Sequence, residues 1–122
     1  MDTRVTAAEL EIMEVLWEAG RSLTATEIAD RLETRDWSLA TVKTLLSRLR
    51  EKQAVRHVVD GRRFLYSPAL ERDRYAGGET KRLIDRLFGG RLSPLVARLA
   101  DEEALDAADI ADIEELLRKL KK

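Results

Sequence analysis

The 122-residue sequence predicts a mainly α-helical chain with one small β-hairpin. Hydrophobic side chains recur at helical spacing in three successive segments before residue 53. The pattern then changes to alternation on both sides of the dipeptide Asp60-Gly61. Three helices followed by a hairpin is the element order of a winged helix-turn-helix. We therefore expect this fold in residues 1–70, with the hairpin as the β wing, and a C-terminal helical tail in residues 71–122.

The first two helices each begin with a capping box. Thr6 can accept a hydrogen bond from the backbone N–H of Glu9, and the Glu9 side chain can accept one from the backbone N–H of Thr6. Thr24 and Glu27 repeat this spacing at the start of the second helix. Gly20 is placed to end the first helix in the left-handed conformation.

The third helix, from Leu39 to about Lys52 with Ser38 as its candidate N-cap, divides its side chains between two faces. The apolar face consists of Leu39, Val42, Leu45, Leu46 and Leu49. The opposite face is small, hydroxylated and basic, and consists of Ala40, Lys43, Thr44 and Ser47, with Arg48 and Arg50 at its edges. We expect the apolar face to be buried and the other face to be exposed.

The hairpin is predicted from two alternating segments, residues 55–59 and 62–67, with Pro68 after the second. Asp60 and Gly61 are expected to form a two-residue type I′ turn, because Asp-Gly tolerates positive φ at both central positions. Arg62 and Arg63 then lie at the tip of the wing.

The net charge of −1 conceals an uneven distribution. Residues 1–34 have a net charge of −5, whereas residues 35–63 have a net charge of +5. A local basic stretch is a candidate surface for a polyanion, and the alternative is an ordinary solvated face.

Composition excludes several classes of site. The chain has no cysteine, which removes disulfides, zinc–thiolate sites and cysteine nucleophiles. The single histidine, His57, has no evident catalytic or metal-binding partner, so we expect no enzyme activity, no metal and no cofactor. No apolar run approaches about 18 residues and no signal peptide opens the chain, so we expect a cytoplasmic protein without membrane insertion.

The third helix and the wing together indicate binding to double-stranded DNA. Small side chains at Ala40 and Ser47 permit close approach to the major groove, and Lys43 can donate to guanine or to a phosphate. The candidate DNA-binding residues are Ala40, Thr41, Lys43, Thr44, Ser47, Arg48, Arg50, Arg62 and Arg63. The alternative is a winged-helix protein–protein interaction module in which this basic face binds an acidic protein.

The tail is predicted to be helical and to form a homodimer. Gly77-Gly78 interrupts its first helix with a kink, a break or a late start, Ser93 and Pro94 are expected to open the next, and Asp106 is expected to cap the last. About 50 residues with few aromatic side chains make a poor core alone, so the apolar stripes need a second copy. The candidate dimerisation residues are Leu83, Leu87, Leu95, Leu99, Ile110, Ile113, Leu117 and Leu120.

The chain resembles the BlaI/MecI/CopY family of bacterial repressors. The matching stretches run in order from about Thr6 to Leu120 and read AAELEIMEVLWEAG, TATEIADRL, ATVKTLLSRLREK, FLYSPALERD, RLFGG and LVARLADEEAL. The resemblance implies a winged-helix domain, a dimerisation tail and a dyad operator with TACA/TGTA-like half-sites. It places Lys43, Thr44 and Arg48 where the family's recognition helix meets DNA.

The resemblance also implies a possible regulatory partner, a membrane sensor-protease that cuts the tail. The matching peptide bond joins Arg98 to Leu99, where the penicillinase branch typically has Asn-Phe. The copper-responsive branch uses a C-terminal cysteine cluster, which this cysteine-free chain lacks.

Overall fold

The computed structural model describes residues 4–121, which fall into two units that meet at the bond between Gly77 and Gly78, inside one helix. The first unit contains α1 (Ala7–Ala19), α2 (Ala25–Asp30), a 3₁₀ turn (Glu33–Arg35), α3 (Leu39–Glu51), β1 (Val55–Asp60) and β2 (Arg63–Pro68). Helix α4 (Arg72–Phe88) starts in the first unit, and the second unit continues with α5 (Leu92–Asp101) and α6 (Ala107–Leu120). The predicted winged-helix class with a helical tail is confirmed.

Both predicted capping boxes are present. Thr6 Oγ1 accepts from the Glu9 backbone N–H at 3.1 Å, and Glu9 Oε1 accepts from the Thr6 backbone N–H at 2.8 Å. Thr24 and Glu27 form the same pair of bonds at 3.1 and 2.9 Å. Gly20 ends α1 with a φ of 66°, which a residue without Cβ adopts freely. Each helix therefore starts or ends where residues only a few positions apart can satisfy its terminal groups.

One hydrophobic core holds the first unit together, and α1, α2, α3 and the base of the hairpin all contribute to it. Its fully buried side chains include Ile12, Met13, Leu16, Leu23, Ile28, Val42, Leu46 and Leu49. Leu39 was expected on this face but is 39% exposed. It is the first residue of α3, and burial on that helix begins only at Val42, one turn later.

The turn of the hairpin lies one residue later in the chain than the sequence predicted. Asp60 pairs with Arg63 as the last rung of the ladder, so the two turn residues are Gly61 and Arg62. Gly61 has a φ of 66° and Arg62 does not have a positive φ, as in a type II′ turn. The predicted Asp60-Gly61 type I′ turn is therefore wrong. The Asp60 carboxylate accepts two hydrogen bonds from the Arg63 guanidinium, at 3.2 and 3.0 Å, and this pairing favours the longer ladder.

The base of the wing is attached to the helices by two sets of bonds. Leu23 and Tyr66 exchange backbone hydrogen bonds of 2.9 and 2.7 Å as an isolated bridge. Trp17 donates from Nε1 to the Leu70 carbonyl oxygen at 2.8 Å, and the Arg72 guanidinium lies 5.5 Å from the centre of its ring. These contacts fix the orientation of the wing and of the first turn of α4 on the core.

The helices of the tail differ from the prediction at two places. Helix α4 runs from Arg72 through Gly77 and Gly78, so neither the predicted break nor the late start is present, and a kink at this pair stays a prediction. Helix α5 begins at Leu92 after Arg91, so Ser93 is not its N-cap. Pro94 is tolerated in this first turn because the amide hydrogen it lacks would have no helical acceptor. The Asp106 cap of α6 is confirmed, with a hydrogen bond of 2.7 Å from the Asp109 backbone N–H.

No described side chain of α4, α5 or α6 is buried. In residues 4–121, no helix combines the length and apolar character that crossing a membrane requires.

Candidate DNA-binding surface

Helix α3 presents one long face to solvent. Ser38 caps it by accepting a hydrogen bond of 3.1 Å from the Thr41 backbone N–H. Val42, Leu45, Leu46 and Leu49 on the opposite side are held in the core, which fixes the rotation of the helix. The exposed residues on this helix include all seven of its predicted DNA-binding residues, namely Ala40, Thr41, Lys43, Thr44, Ser47, Arg48 and Arg50. The helix therefore has the geometry that reading a groove requires.

The hydroxyl groups on this face are already oriented. Thr44 Oγ1 donates to the Ala40 carbonyl oxygen at 3.0 Å, and Ser38 Oγ lies 3.0 Å from Thr41 Oγ1. Since the Thr44 proton is engaged within the helix, this residue offers DNA a lone pair and its methyl group rather than a donor. A methyl group at this position suits contact with the C5-methyl of thymine.

The cations of the recognition helix and wing are mostly without internal partners. Within the part of the chain that the structure describes, Lys43, Arg48, Arg50 and Arg62 make no ion pair or hydrogen bond through their side chains. Elsewhere in the first unit several cations are paired, as in Arg21–Glu27, Arg35–Glu11 and Lys52–Glu9. Three unpaired cations on α3 and one in the turn of the wing are therefore free to bind phosphates.

The wing brings two more predicted residues into place. Arg62 and Arg63 are exposed at its tip, and Arg63 is paired with Asp60 at 3.0 Å. Arg62 and Arg63 line, together with Lys43 of α3, a surface cavity of about 270 Å³. The sequence-predicted cations of helix and wing thus meet around one concavity.

Several residues of this cavity were not predicted from the sequence. Thr26 of α2 and the rings of Phe64 and Tyr66 line it beside Lys43. The alternation of β2 puts Phe64 and Tyr66 on one face, and that periodicity was the available signal. Nothing in the sequence indicated that this face would lie next to α2.

His57 is a wing residue, as expected. Its ring centroid lies 4.5 Å from that of Phe64 and 5.9 Å from that of Tyr66, so it supports the aromatic face of the hairpin. Among residues 4–121, no three His, Asp or Glu side chains are grouped so that they would hold a metal ion.

The predicted dimerisation residues lie along three exposed or half-buried stripes of the tail. Leu87, Ile110, Leu117 and Leu120 are the most exposed of them, at 61%, 48%, 49% and 80%. Leu83 belongs to α4, Leu95 and Leu99 belong to α5, and Ile113 belongs to α6. Leu116, 58% exposed, falls on the same stripe of α6 and was not in the predicted set.

Comparison with known proteins identifies the family. The family model described as penicillinase repressor matches residues 5–119. The chain belongs to the penicillinase repressor family. It is therefore a DNA-binding transcriptional repressor of the BlaI/MecI type and not an enzyme, which decides against the alternative of an interaction module that never contacts DNA.

Relatives of this family match the chain in sequence and in structure. The penicillinase repressor of Bacillus licheniformis is 29% identical over 118 residues, which cover 97% of this chain and 92% of that protein. The solved DNA-binding domain of the repressor BlaI is 36% identical with a TM-score of 0.54, covering 60% of this chain and 89% of that domain. The monomeric form of B. licheniformis BlaI in complex with the blaP half-operator is also 36% identical, with a TM-score of 0.50 and coverage of 59% and 88%.

Proposed function

We propose that this repressor binds a dyad operator as a homodimer, with residues 1–70 as the DNA-binding domain and residues 71–122 as the dimerisation domain. Helix α3 enters the major groove, and the wing reaches the flanking backbone or the minor groove. The observation that carries the proposal is the exposed face of α3, on which Lys43, Arg48 and Arg50 stand unpaired beside small side chains. A related repressor, BlaI, is known bound to a half-operator through a domain of this fold.

The residues on this surface divide into two roles. Thr44 lies near the centre of the exposed face and Lys43 lies on its side toward the wing, and both read base edges, Lys43 as a donor and Thr44 through its methyl group. Arg48, Arg50, Arg62 and Arg63 bind phosphates and position the protein, because guanidinium groups at the edge of a helix or at a wing tip reach the backbone. Ala40, Thr41 and Ser47 allow the helix to approach the bases closely.

The exposed stripes of the tail support the dimer. No described residue of α5 or α6 is buried within one chain, although both helices have continuous apolar stripes. A two-fold axis would allow the same stripes of two copies to cover one another. The tail then sets the distance between the two recognition helices, and we expect half-site centres about one helical turn apart or a multiple of it.

The test is recovery of the operator from genomic fragments, followed by a titration of the full-length protein at several salt concentrations. With Arg48, Arg50, Arg62 and Arg63 of each subunit meeting phosphates, about eight contacts per dimer give a slope of log K against log salt near −7. A slope near zero, or no enrichment of a dyad with TACA/TGTA-like half-sites, would contradict the proposal.

We also propose relief of repression by cleavage of the tail between Arg98 and Leu99, as a membrane sensor-protease would do. This bond lies in the second half of α5, and the Arg98 side chain is 68% exposed. Cleavage would detach the end of α5 and all of α6, and with them most of the apolar stripes. A chain ending at Arg98 should therefore bind a half-operator but fail to dimerise, and an intact dimer from this chain would contradict the proposal.

A further inference from the structure

The cavity between α2, α3 and the wing has a chemical character that DNA phosphates alone do not require. It is enclosed on one side by the rings of Phe64 and Tyr66 and bordered by the cations Lys43, Arg62 and Arg63. No carboxylate is among its lining residues. A cavity of this kind, with an aromatic wall and positive charge at the rim, matches a small ligand that has both a ring and a negative charge.

Tyr66 supplies a second, independent observation. Its side chain lines the cavity and the residue is only 8% exposed. Within residues 4–121, its hydroxyl group has no hydrogen-bond partner, although its backbone is fully paired with Leu23. Among the described residues only Arg82 Nε is both buried and without a partner, so the Tyr66 hydroxyl reaches solvent and is free to donate a hydrogen bond. A carboxylate in the cavity would accept that hydrogen bond.

The two cations that face the cavity without partners strengthen the same conclusion. The ammonium group of Lys43 and the guanidinium group of Arg62 make no ion pair in the described chain, whereas Arg63 is neutralised by Asp60. The volume of about 270 Å³ lies just below the lower end of the usual range for ligand pockets, so the occupant has one ring rather than several.

We propose that this cavity binds a one-ring aromatic carboxylate, which accepts a hydrogen bond from Tyr66 and pairs with Lys43, and that its occupation displaces DNA. The proposed displacement of DNA rests on the DNA-binding surface proposed above, because Lys43 and Arg62 would contact both the carboxylate and the DNA. Binding of the carboxylate itself does not depend on that surface being correct.

The first experiment titrates the full-length protein with sodium benzoate and follows the backbone amide signals by NMR. We expect saturable shifts centred on Thr26, Lys43 and Phe64. Neutral benzamide should bind at least tenfold more weakly, because it lacks the charge that the cations attract. Equal binding of benzamide, or no saturable shift with benzoate, overturns the proposal. Equal binding of inorganic phosphate also overturns it, because the cavity would then be a plain anion site.

Variants separate this cavity from general attraction to a basic protein. Tyr66→Phe retains the buried ring and removes only a hydroxyl without partners, so the fold is retained, and benzoate should bind about tenfold more weakly. Lys43→Met, at an exposed position, should weaken binding to a similar degree. Arg56→Gln makes the same change of charge on the opposite face of the hairpin and should leave benzoate binding unchanged. Equal losses in Arg56→Gln and Lys43→Met would overturn the site.

The second experiment measures binding to a labelled duplex, with sodium chloride replacing benzoate at equal ionic strength in the control. At benzoate ten times its own Kd, simple competition raises the apparent Kd for DNA about elevenfold. Unchanged DNA affinity at saturating benzoate overturns the displacement. If the protein binds no duplex at all, the proposed function fails, and the NMR titration still decides whether the cavity binds the carboxylate.

Discussion

The carboxylate of Glu9 at the start of α1 accepts a hydrogen bond of 2.5 Å from Nζ of Lys52, the C-cap residue that follows α3. Glu9 is 1% exposed, whereas the Lys52 side chain is 30% exposed. Burial raises the pKa of Glu9, but the hydrogen bonds from Lys52 and from the Thr6 backbone outweigh it, so this pKa lies below its ordinary value near 4.5. One side chain therefore caps the first helix and joins it to the end of the recognition helix.

The Glu9–Lys52 pair predicts a pH-dependent stability. A carboxyl group with a lowered pKa in the folded protein stabilises it above the unfolded pKa, and this contribution is lost as the pH falls through the folded pKa. Glu9→Gln retains the capping box, because glutamine also accepts from Thr6, but loses the charge. We expect it to lower the free energy of unfolding by about 1–2 kcal/mol at neutral pH.

The measurement is thermal unfolding of both proteins from pH 7 down to pH 3. The difference between them should be constant above an ordinary carboxyl pKa of about 4.5 and should shrink below it. Glu18→Gln, on the exposed side of α1, is the control and should change stability little at any pH. A difference between wild type and Glu9→Gln that does not vary with pH would show that this ion pair does not titrate.

Lys43 and Arg62 should differ in the kind of DNA binding they support. Lys43→Ala should cost about 1–3 kcal/mol on the operator and relax base preference at one position, because a base-edge donor is lost. Arg62→Ala should weaken operator and random duplex alike and reduce the salt slope by about one, because only a phosphate contact is lost.

Fluorescence anisotropy with operator and random duplexes distinguishes these two losses. Arg21→Ala removes a cation that is already paired with Glu27 at 3.3 Å, and it should change neither affinity much. Equal losses on both duplexes in Lys43→Ala would show that Lys43 contacts the backbone rather than a base.

Removal of the last two helices should separate DNA recognition from dimerisation. A chain ending at Arg91 retains the complete core of the first unit, so it should fold, sediment as a monomer and bind a full operator much more weakly than the intact protein. In the intact chain, Leu117→Glu should also weaken the dimer, because it puts a charge in the stripe of α6. Ala111→Glu, away from that stripe, is the matched control. A truncated chain that still sediments as a dimer would place the interface elsewhere.

Gly77 and Gly78 should be replaceable by alanine with a gain in stability. Both lie inside α4 at helical φ values, and a Cβ at Gly77 meets no atom within 4 Å, while one at Gly78 meets only an Arg82 side-chain nitrogen at 4.0 Å. Each substitution should stabilise the helix by up to about 1 kcal/mol. Gly20→Ala, equally uncrowded but at a φ of +66°, should destabilise the protein. Circular dichroism melting curves test this contrast, and destabilisation by Gly77→Ala would mean that the helix needs its glycine pair.

Local patterns predicted the helices and the exposed face of α3 because these features depend on interactions between residues that are close together in the sequence. A capping box joins residues three apart, as in Thr6 and Glu9, and helical spacing alone places Thr44 on the side of α3 opposite Leu46 and Leu49. The wrong predictions, the hairpin turn and the start of α5, concern residues that can adopt either of two local structures. Asp60 can sit in a turn or pair with Arg63, and Ser93 can cap a helix or lie within its first turn, and the choice depends on neighbouring strands and turns.

The amino-acid order by itself determined the winged-helix class, the capped starts of α1, α2, α3 and α6, and which side of α3 faces water, since each follows from periodicity or from neighbours within one turn. Only the tertiary structure decided which distant residues meet. Glu9 pairs with Lys52 across 43 positions, and Thr26, Lys43 and Tyr66 surround one cavity although they come from three elements. Such contacts depend on how helices and hairpin pack around Ile12, Leu23 and Leu46, and no short-range pattern encodes that packing.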